Sequence, residues 1–84
     1  IIDETARLDD AVKRISYGKW LNNGQSCIAP DYVWVHEKVK DDFVEKLQRA
    51  VTNQFGQRHA ITAQSPDYAR VINDKNFQRL DQLL

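Results

Sequence analysis

Val39, Phe43, Leu47, Val51 and Phe55 recur every four residues, with Val44 and Ala50 widening the stripe. That spacing lays one apolar face along a helix, the strongest helical signal in the chain. Asp42 with Lys46, and Glu45 with Arg49, form i,i+4 pairs on its wet side, and Gly56 ends it. Leu8, Val12 and Ile15, with Ala11 beside them, mark an earlier helix from about Leu8 to Asn22. Asp9 and Asp10 suit the positive end of its dipole, Lys13 and Arg14 follow at pairing distance, and Gly24 can take the left-handed conformation of a helix stop.

Ile1-Ile2-Asp3 reads as the tail of a buried strand, with Glu4 and Thr5 in the turn after it. Pro30 forbids helix locally and pushes Ala29 towards extended geometry. Tyr32-Val33-Trp34-Val35-His36 is β-branched and aromatic and apolar on both faces, the pattern of a strand covered on two sides. Residues Gln57 to Gln64 show no period and read as a loop. Ser65-Pro66-Asp67 has the form of a helix start, followed by the short apolar face of Tyr68, Val71 and Ile72. Asn73-Asp74 then stops that helix and caps another, which carries Phe77, Leu80, Leu83 and Leu84. The resulting order, strand–helix–strand–helix–helix, predicts an α/β fold: an incomplete piece of a helix-flanked, mostly parallel sheet.

Size limits what this pattern can build. With 84 residues the chain makes one small domain at most, whose core supplies only ~3–5 kcal/mol of net stability. A single cysteine forms no internal disulfide, and two histidines far apart with that cysteine make a poor zinc site, so no metal site is expected. Twelve basic residues balance twelve acidic ones, which leaves no electrostatic footprint for nucleic acid. No apolar stretch reaches the ~20 residues of a membrane-spanning helix. The composition fits a reducing, cytoplasmic environment. The chain opens on Ile1-Ile2 and stops on Leu83-Leu84 in mid-pattern, as if cut through structured segments, so residues 1–84 are expected to be a fragment and not a complete domain.

The sole cysteine lies in the run Asn22-Asn23-Gly24-Gln25-Ser26-Cys27-Ile28-Ala29-Pro30, between a predicted helix and a predicted strand. A thiol held on such a turn can attack an electrophile, with its own amide N–H placed to steady the oxyanion that forms. The bland alternative is a small buried hydrophobe, since most lone cysteines are inert. In that reading the chain is a non-enzymatic α/β interaction module whose cysteine is structural or redox-sensing. The helix before the turn presents its partly negative end, so an activating base must come from elsewhere in space.

The run from Trp20 to Cys27 resembles the active-site cysteine segment of aldehyde dehydrogenases, with Trp20 where the family usually has Phe or Tyr. Ala29-Pro30-Asp31-Tyr32 is most similar to the class containing fatty-aldehyde and coniferyl-aldehyde dehydrogenases. Ile1-Ile2-Asp3 looks like the family's strand after its Glu-Leu-Gly-Gly-Lys motif, and Leu8-Asp9-Asp10-Ala11-Val12 like the helix that carries the cysteine turn. Asp67 to Asn73 and Asn76 to Leu80 resemble later helices of the same fold.

The resemblance implies that Cys27 is the catalytic nucleophile of an enzyme oxidising an aldehyde to a carboxylate, through a thiohemiacetal and a thioester, with NAD or NADP as cofactor. It implies that Asn76 and Arg79 contact the adenosine half of that cofactor. It places the general-base glutamate and the second oxyanion donor upstream of Ile1, so Glu4 is not the base and the chain alone is expected to be inactive. The intact enzyme is expected to be a homodimer or homotetramer.

Other residues carry less. Ser26 has no triad partners the sequence can show, and His36 and His59 read as satisfied or solvated. Tyr32 and Trp34 are expected to pack beneath helices.

Overall fold

A computed structural model describes residues 1–55, 65–66 and 68–84. Three α-helices organise them: α1 (Leu8–Trp20), α2 (Lys40–Phe55) and α3 (Asp74–Asp81), with single 3-10 turns at Leu21–Gly24 and Glu37–Val39. The helix stop at Gly56, the loop from Gln57 to Gln64 and His59 lie outside the described residues.

The apolar stripes of α1 and α2 meet. Ile2, Val12 and Phe43 form the buried centre, and Ala11, Ile15, Leu47 and Ala50 pack around it. Beside this seam the buried Ser16 donates its hydroxyl to Gln54 Oε1 at 3.0 Å, so a polar residue on the helix contact keeps its hydrogen bond. Acidic residues open both helices, Asp9 and Asp10 in α1 and Asp41 and Asp42 in α2, where the helix dipole favours them. His36 precedes the second 3-10 turn, and its Nδ1 accepts from the Lys38 N–H at 3.2 Å; this histidine is a capping residue.

Charge pairing among the described residues follows both sequence spacing and tertiary contact. Arg49 pairs with Glu45 within α2, as the spacing predicts. Lys46 instead reaches across to Asp9 of α1 at 2.7 Å, and Arg7 takes Asp10. The Asp9 hydrogen bond raises the Lys46 pKa above its ordinary value. At the chain's start the Thr5 hydroxyl and N–H both donate to the Asp3 carboxylate at 2.8 Å, and these bonds, hydroxyl first, lower its pKa.

The expected sheet does not form. Among the described residues there is no strand, only an isolated parallel bridge between Ile2 and Val35. It rests on Ile2 N–H to Trp34 O at 2.7 Å and His36 N–H to Ile2 O at 2.8 Å. The continuous apolar run at 32–36 misleads because only one of its faces is covered. Val33 and Val35 pack against the core, whereas Tyr32 and Trp34 are 75% and 69% exposed and lean on each other with ring centroids 6.4 Å apart. The expectation that these aromatics lie beneath helices is therefore also overturned. A lone parallel pair with no third strand has nothing to propagate it into a sheet.

The helix expected from Ser65 is not formed either. Tyr68 N–H reaches Ser65 O at 3.5 Å in a turn, and residues 69–73 are non-helical; Asp67 lies outside the described residues. The backbone there is engaged elsewhere, since Arg70 O and Ile72 N–H both bond the side chain of Gln25. The Tyr68 ring meets the buried Phe55 edge-on, centroids 5.3 Å apart, which ties this segment to the end of α2.

Two outcomes test the packing. Phe43 is 4% exposed, and Phe43→Ala should cost ~3–5 kcal/mol, comparable to the whole stability of a core this size. The variant chain should lose cooperative denaturant unfolding by circular dichroism; an unchanged midpoint would contradict the assigned core. The raised Lys46 pKa gives a second test, since a raised value stabilises the fold below the ordinary lysine pKa of 10.5 and loses that contribution as pH rises through the folded-state value. Asp9→Asn should therefore flatten the alkaline fall in stability above that pH, read as the denaturant midpoint against pH; an unchanged alkaline profile would contradict the pair.

Candidate functional site

The site begins where α1 stops. Asn22, Asn23 and Gly24 take φ of 52°, 58° and 72° in succession, a left-handed run that turns the chain off the helix axis. Asparagine tolerates this region better than most residues with a Cβ. Gly24 has a second constraint, because a Cβ there would stand 3.1 Å from Lys19 O. The sequence marks Gly24 as a left-handed stop; the extension of that geometry over both asparagines was missed, although Asn-Asn-Gly is the composition that permits it.

Beyond the run, Ala29 N–H returns to Ser26 O at 3.1 Å, closing a tight turn with Cys27 at its corner. Pro30 then packs on α1, and its ring would stand 3.3 Å from a Cβ added at Gly18. Cys27 is a free, exposed cysteine, not the buried hydrophobe of the bland reading. Its amide N–H donates to no acceptor among the described residues. The geometry thus holds a reachable sulfur beside a backbone donor.

Gln25, two residues earlier, is the residue whose part sequence reasoning did not assign. Its Nε2 donates to Asn22 O at 3.0 Å and to Arg70 O at 2.9 Å, and its Oε1 accepts from Ile72 N–H at 2.9 Å. One side chain therefore closes the left-handed turn and fastens it to the segment leading into α3. No pattern in the sequence marks a contact spanning 45 residues.

The proposed cofactor residues separate. Arg79, on α3, lines a cleft of about 330 Å³ with Lys19, Trp20, Gly24, Gln25 and Tyr68, directly beside the cysteine turn. Asn76 stays within its own helix start: its N–H and Nδ2 both meet Asn73 Oδ1 at 2.9 Å, so Asn73 is the cap and Asn76 its partner. Cys27 and Asn76 line neither that cleft nor the adjacent one, of about 310 Å³, which runs past Asn23, Arg70, Asn73 and Phe77. Two cations and two aromatic rings in the Arg79 cleft fit an anionic or planar group of modest size. Among the described residues no group of three or more His, Cys, Asp or Glu side chains is placed to hold a metal ion. No helix among them is long and apolar enough to cross a membrane.

Comparison with known proteins agrees with the resemblance drawn from the cysteine turn. The Aldehyde dehydrogenase family matches residues 1–84. The chain is 48% identical over 84 residues to 4,4'-diaponeurosporen-aldehyde dehydrogenase of Staphylococcus aureus, covering 100% of this chain and 18% of that protein. It is 40% identical over 83 residues to the dimeric NADP-preferring aldehyde dehydrogenase of Mus musculus, covering 99% of this chain and 18% of that protein. A solved structure described as the substrate-bound state of Staphylococcus aureus AldH superposes with a TM-score of 0.84 at 46% identity, covering 99% of this chain and 18% of that one. The chain thus spans 18% of the length of these relatives. With a match running from its first residue to its last, the chain belongs to the aldehyde dehydrogenase family.

Proposed function

We propose that the full-length protein carrying this chain oxidises an aldehyde to a carboxylate, with Cys27 as its nucleophile. The observation that carries the reading is the exposed thiol at the corner of the Ser26–Ala29 turn, in a chain that the family matches throughout. Cys27 Sγ, as thiolate, attacks the carbonyl carbon; a C–S bond forms and the carbonyl π pair moves to oxygen. The Cys27 N–H stands on the same residue as the attacking sulfur and has no acceptor among the described residues, so it can donate to that oxygen, a stabilisation that counts only where charge develops. NAD or NADP, when bound, would supply the hydride acceptor for oxidation at the thiohemiacetal carbon. The acyl group remaining on Sγ is released by water as the carboxylate, and the thiol is restored.

Arg79 is the residue of this chain proposed to hold part of the cofactor, its guanidinium meeting an anionic or hydroxyl-rich edge in the cleft beside Gln25. That cleft, at about 330 Å³, suits one end of a dinucleotide and not the whole. Asn76, which lies outside that cleft and bonds Asn73, is proposed as a contact to the adenosine half only on its resemblance to the family's position. A nucleophilic thiol must stay reduced, which is the reason for proposing a cytoplasmic location. A homodimer or homotetramer is proposed for the full-length protein; one relative is itself named dimeric.

In the full-length protein Cys27→Ser should nearly abolish aldehyde oxidation while cofactor binding survives, because an alcohol is a far weaker nucleophile at neutral pH. Retained turnover would remove Cys27 from the reaction. Arg79→Ala should raise the KM for the cofactor and leave kcat nearly unchanged, the signature of lost uniform binding. Steady-state kinetics over a range of cofactor concentrations decides this, and an unchanged KM would return Arg79 to the solvated surface.

A further inference from the structure

Gln25 meets the backbone of residues 70–72 as another strand would. In an extended segment the carbonyl of one residue and the N–H two residues later point to the same side. Arg70 O and Ile72 N–H do so here, and the Gln25 amide, with one donor and one acceptor end, engages both at 2.9 Å. The same Nε2 supplies Asn22 O, which also receives the Gln25 N–H at 3.2 Å. Three side-chain hydrogen bonds thus converge two residues before Cys27, on a turn whose left-handed residues have little conformational preference of their own to hold them. The side chain lies at the surface among the described residues, so each bond is individually modest; the geometry comes from their joint direction.

We infer that Gln25 is a positioning residue, whose amide locks the Cys27 turn onto the 70–72 segment and so fixes where the thiol stands relative to the cleft lined by Arg79. Its chemistry is narrow. Asparagine is one methylene too short to span both contacts. Methionine keeps the length but makes neither bond. An ionised glutamate turns an acceptor oxygen towards Arg70 O and Asn22 O, whereas a protonated glutamate regains one donor. The inference rests on reading Cys27 as the nucleophile, but its test reads the placement of the thiol directly.

The experiment is alkylation of Cys27 by iodoacetamide in the full-length protein, without aldehyde or cofactor, alongside kcat and KM for an aldehyde. Gln25→Met should shift the alkylation rate several-fold and lower kcat by about 100-fold, the scale of a small misplacement at a reacting centre, with the aldehyde KM little changed. Gln25→Glu should behave likewise at neutral pH. As pH falls and its carboxyl protonates, its alkylation rate should converge on that of the natural protein at the same pH, and Gln25→Met should show no such convergence. A role in stability alone would lower the melting temperature of both variants while leaving Cys27 alkylation in the folded protein at the natural rate. Folded variants that alkylate and turn over at the natural rates would overturn the inference. If Cys27→Ser stays active, the nucleophile reading falls while alkylation still decides whether Gln25 places the thiol; if Cys27→Ser is inactive and the Gln25 variants are unaffected, only this inference falls.

Discussion

Three consecutive backbone positions at positive φ, Asn22, Asn23 and Gly24, decide how the chain leaves α1. Left-handed geometry costs free energy at any residue with a Cβ, and it persists only where surrounding contacts over-determine it. Here those contacts are visible. Gln25 closes the run through Asn22 O, the missing Cβ of Gly24 lets Lys19 O approach, and Pro30 lies against α1 at Gly18. The cysteine follows directly, so the exposure of Cys27 is a consequence of how the helix ends.

The α1–α2 packing serves that turn from beneath. Val12 and Phe43 bury against Ile2, and Ser16 reaches Gln54 across the same contact, so the helix bearing the turn is held along most of its length. On the far side Phe55 meets Tyr68, and Tyr68 in turn lines the cleft that contains Arg79. Core and cleft are thereby joined by an aromatic contact at one end and by the Gln25 fork at the other. Neither link involves neighbours in sequence.

That separation explains what the sequence could and could not show. The two long helices were legible because burial repeats with the helical period, and Phe43, Leu47 and Ala50 fall on one face whatever packs there. The start of α3 was legible for the same local reason, from Asn73-Asp74, although the residue that caps it is Asn73, which was read as the stop, and not Asp74. The sheet was not, because an apolar run does not say how many of its faces are covered, and Tyr32 and Trp34 face away from the core. The Ser65 helix start failed because a side chain 45 residues away takes backbone groups that a helix would use. Within the candidate site, Cys27 came from its turn and the resemblance, and Arg79, from the resemblance, lines a cleft with Gly24 and Gln25, whereas the part of Gln25 emerged only from tertiary hydrogen bonds.

The central claim is that a covalent bond forms at one named sulfur. It is tested most directly by mixing the full-length protein with aldehyde and oxidised cofactor, quenching in acid within the first turnover, and mapping the digested protein by mass spectrometry. The account predicts an acyl mass increment on the peptide containing Cys27, present only when both aldehyde and cofactor are supplied and lost on longer incubation. An acyl adduct on another residue, or turnover with Cys27 unmodified at every quench time, would contradict it.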